Sequence, residues 1–200
     1  MTNFLKSYSI IGILYLVICK IITIIFYPRS RLIRFPIYIR GKSYINFGTN
    51  LTTGRNCRID AYPINNIDDR IIIFGKNIQI NDNVHIGAIE KVTICDNVLI
   101  ASRVYIGDHD HGSYSDFIHN SPLEIPASRQ LISSAVIVGE NVWIGEGACI
   151  LKGTTIGKGC IIGAGSVVSG LIPENSICIG NPYRIIKRYN FENNRWEKCE

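Results

Sequence analysis

The run VGENVWIGEGACILKGTTIGKGCIIGAGSVV, residues 138–168, places an aliphatic side chain at Val138, Ile144, Ile150, Ile156, Ile162 and Val168, an unbroken spacing of six. Glycine follows four of them, at Gly139, Gly145, Gly157 and Gly163, and two positions ahead of each stands a small or branched residue: Val136, Val142, Ala148, Thr154, Cys160, Ser166. A period of six suits neither an amphipathic helix nor a simple alternating strand. It suits a chain that turns a corner every six residues, with three short strands per coil. The aliphatic then points inward, glycine tolerates the corner, and coils stack at about 4.8 Å. The same phase runs through Phe74, Ile80 and Ile86 and, after a two-residue slip, through Ile94, Ile100 and Ile106. A weaker start is visible at Phe47, Thr53 and Ile59. The repeat accounts for the glycines of GEGACILKG and GKGCIIGAG, which lack the spacing and helical context of a dinucleotide fingerprint.

Composition agrees with this reading. Ile and Val dominate the 46% apolar fraction, and stiff β-branched residues with 18 glycines favour strands and tight corners. Two hundred residues allow one domain with a short appendage. The expected divisions are an N-terminal segment over 1–34, a β-helix over 35–182 with an extruded loop at 107–137, and a tail over 183–200. The net charge of +5 lies in the clusters PRSRLIR (28–34), IRGK (39–42) and YRIIKR (183–188), and no recognition motif accompanies them, so a nucleic-acid role is not expected. Seven scattered cysteines without a CxxC read as reduced thiols of a cytoplasmic protein.

Residues 8–27, YSIIGILYLVICKIITIIFY, form an apolar run about as long as a membrane-spanning helix, interrupted by Lys20. Two readings stand. The run is a helix packed on the domain or a neighbouring subunit, or it is an anchor on or across the inner membrane. Arg29, Arg31 and Arg34 would then meet an anionic cytoplasmic leaflet.

The hexads resemble the left-handed parallel β-helix of the hexapeptide-repeat acyltransferases. INDNVHI, DHDHG, VWIGE, IGAGSVV and GNPYRI, in this order, more closely resemble bacterial O-antigen and polysaccharide O-acetyltransferases, with galactoside, maltose and nodulation acetyltransferases as more distant relatives. The resemblance covers roughly residues 35–190. It implies an all-β fold with an N-terminal apolar helix, an extruded loop and a short helical tail. It also implies a homotrimer, acetyl-CoA as co-substrate, no metal, and a sugar or lipid-linked oligosaccharide as acceptor.

The loop GDHDHGSYSDFIHNSPLEIPASRQLISSAVI interrupts the coil after Ile106. Long excursions from a stiff solenoid are usually functional. Acyl transfer to a hydroxyl needs a base near neutral pKa, the role of histidine. The resemblance assigns that role to His109. His111 is read as a hydrogen bonder that braces the loop, and either Asp108 or Asp110 orients the imidazole. The histidines at 85, 109, 111 and 119 do not reproduce the ligand spacing of the γ-type carbonic anhydrases that share the fold. In INDNVHI, Asn81 matches an acceptor contact of the family, with Asp82 and His85 as its neighbours; the competing reading makes them polar outer-face residues. Asp108 and His111 complete the expected acceptor set. For the donor, the resemblance implies Trp143 in the acetyl channel beside the histidine of an adjacent subunit. Ala164 and Ser169 would lie along the pantetheine arm, with Arg184 and Lys187 on the phosphates. Backbone N–H groups near Trp143–Glu146 are expected to hold the oxyanion.

Overall fold

The computed structural model describes residues 7–64, 69–115 and 117–199. Residues 1–6 of the N-terminal segment, Asp116 of the excursion and the last residue of the tail lie outside them. The chain is a left-handed β-helix with three flat faces. The first face stacks the parallel strands Ile37–Arg40, Cys57–Ala61, His85–Ala88, Tyr105–Gly107, Cys149–Ile150 and Val167–Val168. The second stacks Ile45–Asn46, Ile72–Phe74, Val92–Ile94, Val136–Val138, Thr155–Ile156 and Leu171–Ile172. The third stacks Gln79–Ile80, Leu99–Ile100, Trp143–Ile144, Ile161–Ile162 and Ser176–Gly180.

The hexad aliphatics fill the interior. Phe74, Ile80, Ile86, Ile94, Ile100, Ile106, Val138, Ile144, Ile150, Ile156, Ile162 and Val168 form one buried column. Val136, Val142, Ala148, Thr154, Cys160 and Ser166 are buried beside them, as are Ile78, Val84, Val98 and Val104 at the same position of earlier coils. Burying each large aliphatic contributes about 1.5–3 kcal/mol.

The glycines work differently from the expectation. Gly139, Gly145, Gly157 and Gly163 do not have positive φ. They are needed because the next coil passes too close: a Cβ on Gly157 would stand 2.4 Å from the Glu174 amide nitrogen, and one on Gly145 2.6 Å from that of Ala164. The left-handed corner position falls two residues later. It is held by Asn141, Gly147, Gly153, Gly159 and Gly165, and in earlier coils by Asn50, Asn77, Asn83 and Asn97. Asparagine visits this region more readily than other residues with a Cβ, and Asn50, Asn77 and Asn97 add a side-chain ladder from coil to coil.

Both ends of the solenoid are covered. Helix α1 (Ile10–Phe26) is capped by Ser9, whose Oγ accepts from Gly12 N. It buries Cys19 and Thr23 against the body, where Thr23 Oγ1 accepts from Ile33 N. Lys20, the charge inside the apolar run, donates to the Arg31 carbonyl at 2.7 Å and so faces the protein. Seventeen residues span about 25 Å, and no described helix is long and apolar enough to cross a membrane. Of the two readings of this run, the structure shows a helix packed on the domain through Cys19 and Thr23. At the other end the expected helical tail is a β-hairpin. Tyr183–Asn190 pairs antiparallel with Ser176–Gly180 and then with Arg195–Lys198. An open solenoid end offers unpaired N–H and C=O groups, and YRIIKRY, rich in Ile and Tyr, is better suited to pairing with them than to a helix.

These two glycine roles differ measurably. Gly147 has φ +68°, and a Cβ there would have no atom within 4 Å, so Gly147→Ala meets only the left-handed backbone cost of about 1–2 kcal/mol. Gly157→Ala must displace the backbone of the next coil and is expected to lower the melting temperature further. Thermal unfolding of the two variants checks the order.

Candidate active site

Three successive coils break the period of six at the same corner, between the first face and the second. Inward residues are spaced fifteen from Ile59 to Phe74, eight from Ile86 to Ile94 and thirty-two from Ile106 to Val138. Stacking therefore brings together Tyr62, the turn Ile89–Lys91 and the excursion that leaves at Asp108. The excursion proper covers 108–135, since Gly107 and Val136–Val138 still belong to strands. Its neck is closed by antiparallel pairing of His109–His111 with Leu131–Ser133, and by Ser134 N donating to the Asp108 carbonyl at 2.8 Å.

The two-residue slip at Ile86–Ile94 makes a cradle. The Asp108 carboxylate is fully buried and accepts from the backbone N–H groups of Ile89, Glu90 and Lys91. Its Oδ1 also lies 2.8 Å from His109 Nδ1. An ionised carboxylate only accepts, so His109 carries its proton on Nδ1 and leaves the lone pair on Nε2. That nitrogen lies 3.0 Å from the Tyr62 hydroxyl. Burial raises the Tyr62 pKa, so the phenol stays protonated and donates to Nε2. Of the two aspartates, it is Asp108 that contacts His109, while Asp110 pairs with Lys152 at 3.3 Å.

A second histidine faces the first. Cys57–Ala61, His85–Ala88 and Tyr105–Gly107 lie in register, with Arg58 beside His85, His85 beside Tyr105, and Asp60 beside Gly87. His85 Nε2 lies 3.4 Å from Asp60 Oδ2, which also accepts from Arg58 Nε. A Cβ on Gly87 would sit 3.7 Å from His85 Nε2 and 3.8 Å from His109 Cε1. The absent side chain therefore opens a gap between the two imidazoles, with Tyr62 edge-on to His109 and Tyr105 edge-on to His85. Burial first, and then the Arg58 guanidinium, depress the His85 pKa.

The remaining expected residues fall in several places. His85 joins the His109 cluster. Asp108 is within it but beneath the surface, so its expected contact with the acceptor is corrected to a contact with His109. Asn81 and Asp82 lie on the corner between the third and first faces, and no contact among the described residues ties them to either histidine. Asp82 Oδ1 accepts from Arg55 N at 2.7 Å, as Asp96 Oδ1 accepts from Lys76 N two repeats later. NDN at 81–83 and CDN at 95–97 are the same corner device, which corrects the acceptor reading of Asp82. The Asn81 carbonyl accepts from the Cys57 thiol. His111 is exposed, and it is its backbone carbonyl, not its ring, that braces the loop by accepting from Tyr114. Tyr62, Asp60, Arg58 and Tyr105 went unread in the sequence.

Trp143 is half exposed on the third face, in register with Leu99 and Ile161, and Ile161 continues through Ile177 to Lys187. Arg184 is exposed on the same strand as Lys187. Ala164 and Ser169 are exposed on different edges of the prism, so one chain does not align them along one path. The N–H groups of Trp143, Gly145 and Gly147 donate to Cys160, Ile162 and Ser102 carbonyls, which removes them as oxyanion donors. Glu146 forms a surface ion pair with Arg103. Among the described residues no three His, Cys, Asp or Glu side chains are grouped to hold a metal ion.

The chain belongs to the bacterial hexapeptide-repeat acyltransferases. Residues 135–170 match the family of six-repeat bacterial transferase hexapeptides. The chain is 47% identical over 198 residues, 97% of each protein, to WbbJ of Escherichia coli, assigned as an O-acetyl transferase of lipopolysaccharide biosynthesis. In fold it is similar to the N-acyltransferase AntD of Bacillus cereus, solved as a point variant with dTDP-4-amino-4,6-dideoxyglucose and coenzyme A. The TM-score is 0.67 at 22% identity, covering 82% of this chain and 84% of that one. The acetyltransferase domain of PglB from Neisseria gonorrhoeae is also similar, with a TM-score of 0.53 at 19% identity, covering 77% of this chain and 56% of that one.

The depressed His85 pKa has a sign. The native state keeps this imidazole neutral, while the unfolded chain takes up a proton near the ordinary value of about 6.5. The residue therefore favours folding above that pH, and its contribution is lost as pH falls through it. Between about pH 7.5 and about pH 5.5, His85→Gln is expected to lose less melting temperature than the native protein.

Proposed function

We propose that the chain is an acetyl-CoA-dependent O-acetyltransferase that acetylates a sugar hydroxyl of a bacterial surface polysaccharide, O-antigen or capsule, by direct transfer. The observation that carries this reading is the Asp108–His109 pair, which fixes one tautomer and presents one lone pair at the surface of the coil. The acceptor hydroxyl takes the place of the Tyr62 phenol at His109 Nε2. As its oxygen forms the new bond to the thioester carbonyl carbon, Nε2 takes the proton, and the buried Asp108 carboxylate stabilises the imidazolium. Breaking the carbon–sulfur bond releases coenzyme A, and the imidazolium returns its proton to the sulfur. General-base assistance of this kind is worth about 10²–10⁴ in rate.

Supporting the donor assignment, Trp143, Lys187 and Arg184 lie on one face, with the outward apolar pair Ile161 and Ile177 between them and Leu99 on the far side of Trp143. That face is not the one from which His109 emerges. A homotrimer, in which the third face of one copy lies beside the excursion of the next, completes the site. Helix α1 carries Ile11, Leu14, Ile18, Ile21 and Ile25 outward, each at least half exposed, with Arg29 and Arg31 beside it. This supports attachment to the cytoplasmic surface of the inner membrane, where lipid-linked acceptors reside.

Kinetics with labelled acetyl-CoA test the base. His109→Ala is expected to lower kcat by about 10²–10⁴ with little change in KM for acetyl-CoA. Asp108→Asn is expected to follow it, while His111→Ala stays within about tenfold of native. Full transfer by His109→Ala with loss in His111→Ala would overturn the assignment. For the membrane, flotation with vesicles of anionic phospholipid is expected for the native chain and lost in Ile18→Asp/Ile25→Asp. Equal flotation of both would remove α1 from that role.

A further inference from the structure

The gap between His85 and His109 does not end at the histidines. Towards the N-terminal end of the first face, two arginines stand against the same cluster. The Arg40 guanidinium lies over the Tyr62 ring, 4.6 Å from its centroid, and Tyr62 is the residue whose hydroxyl occupies His109 Nε2. Arg40 has no carboxylate partner among the described residues. Arg58 stands in register with His85 and lies over the Tyr38 ring at 5.5 Å. Its Nε is held by Asp60 and its side chain is 55% exposed, so its terminal nitrogens face solvent. The acidic groups nearby are covered: Asp60 and Asp108 are both buried. Asp60 Oδ1 has no hydrogen-bond partner among the described residues, a cost tolerated beneath a guanidinium that it fixes in place.

The His109 ring reaches back over Gly87 to the Tyr62 hydroxyl at 3.0 Å, and the Arg40 guanidinium lies over that same Tyr62 ring. Arg58 stands one strand, about 5 Å, from His85, so both guanidinium groups come within the length of a hexose carrying a phosphate on its anomeric carbon. Guanidinium groups that are stacked on aromatic rings and cannot lose their charge match the geometry of phosphate oxygens.

Resting on the O-acetyltransferase reading, we infer that Arg40 and Arg58 form a phosphoryl subsite. The acceptor is then a glycosyl phosphate or diphosphate, its reacting hydroxyl at His109 and its anomeric phosphate on the arginines. Two sources carry that chemistry, a polyprenyl-diphosphate-linked saccharide and a nucleoside-diphosphate sugar.

The test has two parts. The full chain, saturated with coenzyme A so that the donor cations are occupied, is titrated with inorganic pyrophosphate in a calorimeter. Binding is expected, weakened by about tenfold or more in Arg40→Gln/Arg58→Gln and unchanged in Arg195→Gln on the C-terminal hairpin. Arg40→Gln alone removes a side chain that makes no hydrogen bond among the described residues, so it separates lost binding from misfolding. No binding, or equal affinity in native and variant chains, overturns the subsite. In the second part, acetyl transfer is measured to UDP-sugars, to the lipid-linked saccharide of cells lacking the gene, and to their phosphate-free polysaccharide. A phosphorylated acceptor is expected to be preferred, the arm that works naming the source, with the double variant raising its KM rather than lowering kcat. Equal transfer to the phosphate-free polysaccharide overturns the inference and leaves acetyl transfer standing. Transfer to none of the three overturns the O-acetyltransferase reading itself, and the subsite is then judged on the pyrophosphate titration.

Discussion

Stacking of coils about 4.8 Å apart is the constraint on which everything else in this molecule depends. Each corner must bring its backbone against the one above and below, and every strand must satisfy its hydrogen bonds with two neighbours. Glycine at 145 and 157 follows from that close approach, and asparagine or glycine at the left-handed position follows from the turn itself. An inward aliphatic every six residues then fills the centre. A solenoid built this way is stiff, and chemistry can be added only where the period is broken.

The breaks are not scattered. All three fall on one edge in consecutive coils, and each supplies a different part. The longest gives His109 and the excursion, the shortest gives the three N–H groups around Asp108, and the earliest brings Tyr62 to the imidazole. The general principle is that a fixed side chain needs a supporting shell on rigid elements. Here the shell is backbone, stretched by two residues, so the carboxylate that contacts His109 is held without another charged side chain.

This explains what was and was not legible in the sequence. The hexads of 138–168 were sufficient for the coil, and DHDHG marked the exit because polar residues replaced a periodic run. The slip between Ile86 and Ile94 was visible as a number but not as a cradle, since its purpose lies in N–H groups whose side chains, Ile89, Glu90 and Lys91, carry no signature. Tyr62, Asp60 and Arg58 stayed hidden because the first coils keep the period poorly. Their relation to His109 is vertical, from coil to coil, and not local in the chain. Asp82 misled for the opposite reason: a polar residue in a regular corner resembles a ligand until Asp96 is seen doing the same work two repeats later. The tail misled because an apolar-basic run after a turn reads as a helix when the open sheet edge it pairs with is out of view.

The arrangement along the solenoid axis has its own logic. Helix α1 closes the end nearest Arg40 and Arg58, while the His109 corner lies further along the same face. Arg55 of the next corner lies over Tyr15 of that helix, so cation and helix are joined physically. An elongated acceptor that enters along this face meets an apolar surface, then guanidinium groups, then a pair of imidazoles over a glycine. On the proposed reading those chemistries, in that order, suit an acceptor whose phosphate lies ahead of its reacting hydroxyl. The excursion rises at the far edge of the corner, where its neck pairs back on itself directly beside His109. The order of these groups thus comes from coil order, which a sequence with this period specifies before any individual side chain is considered.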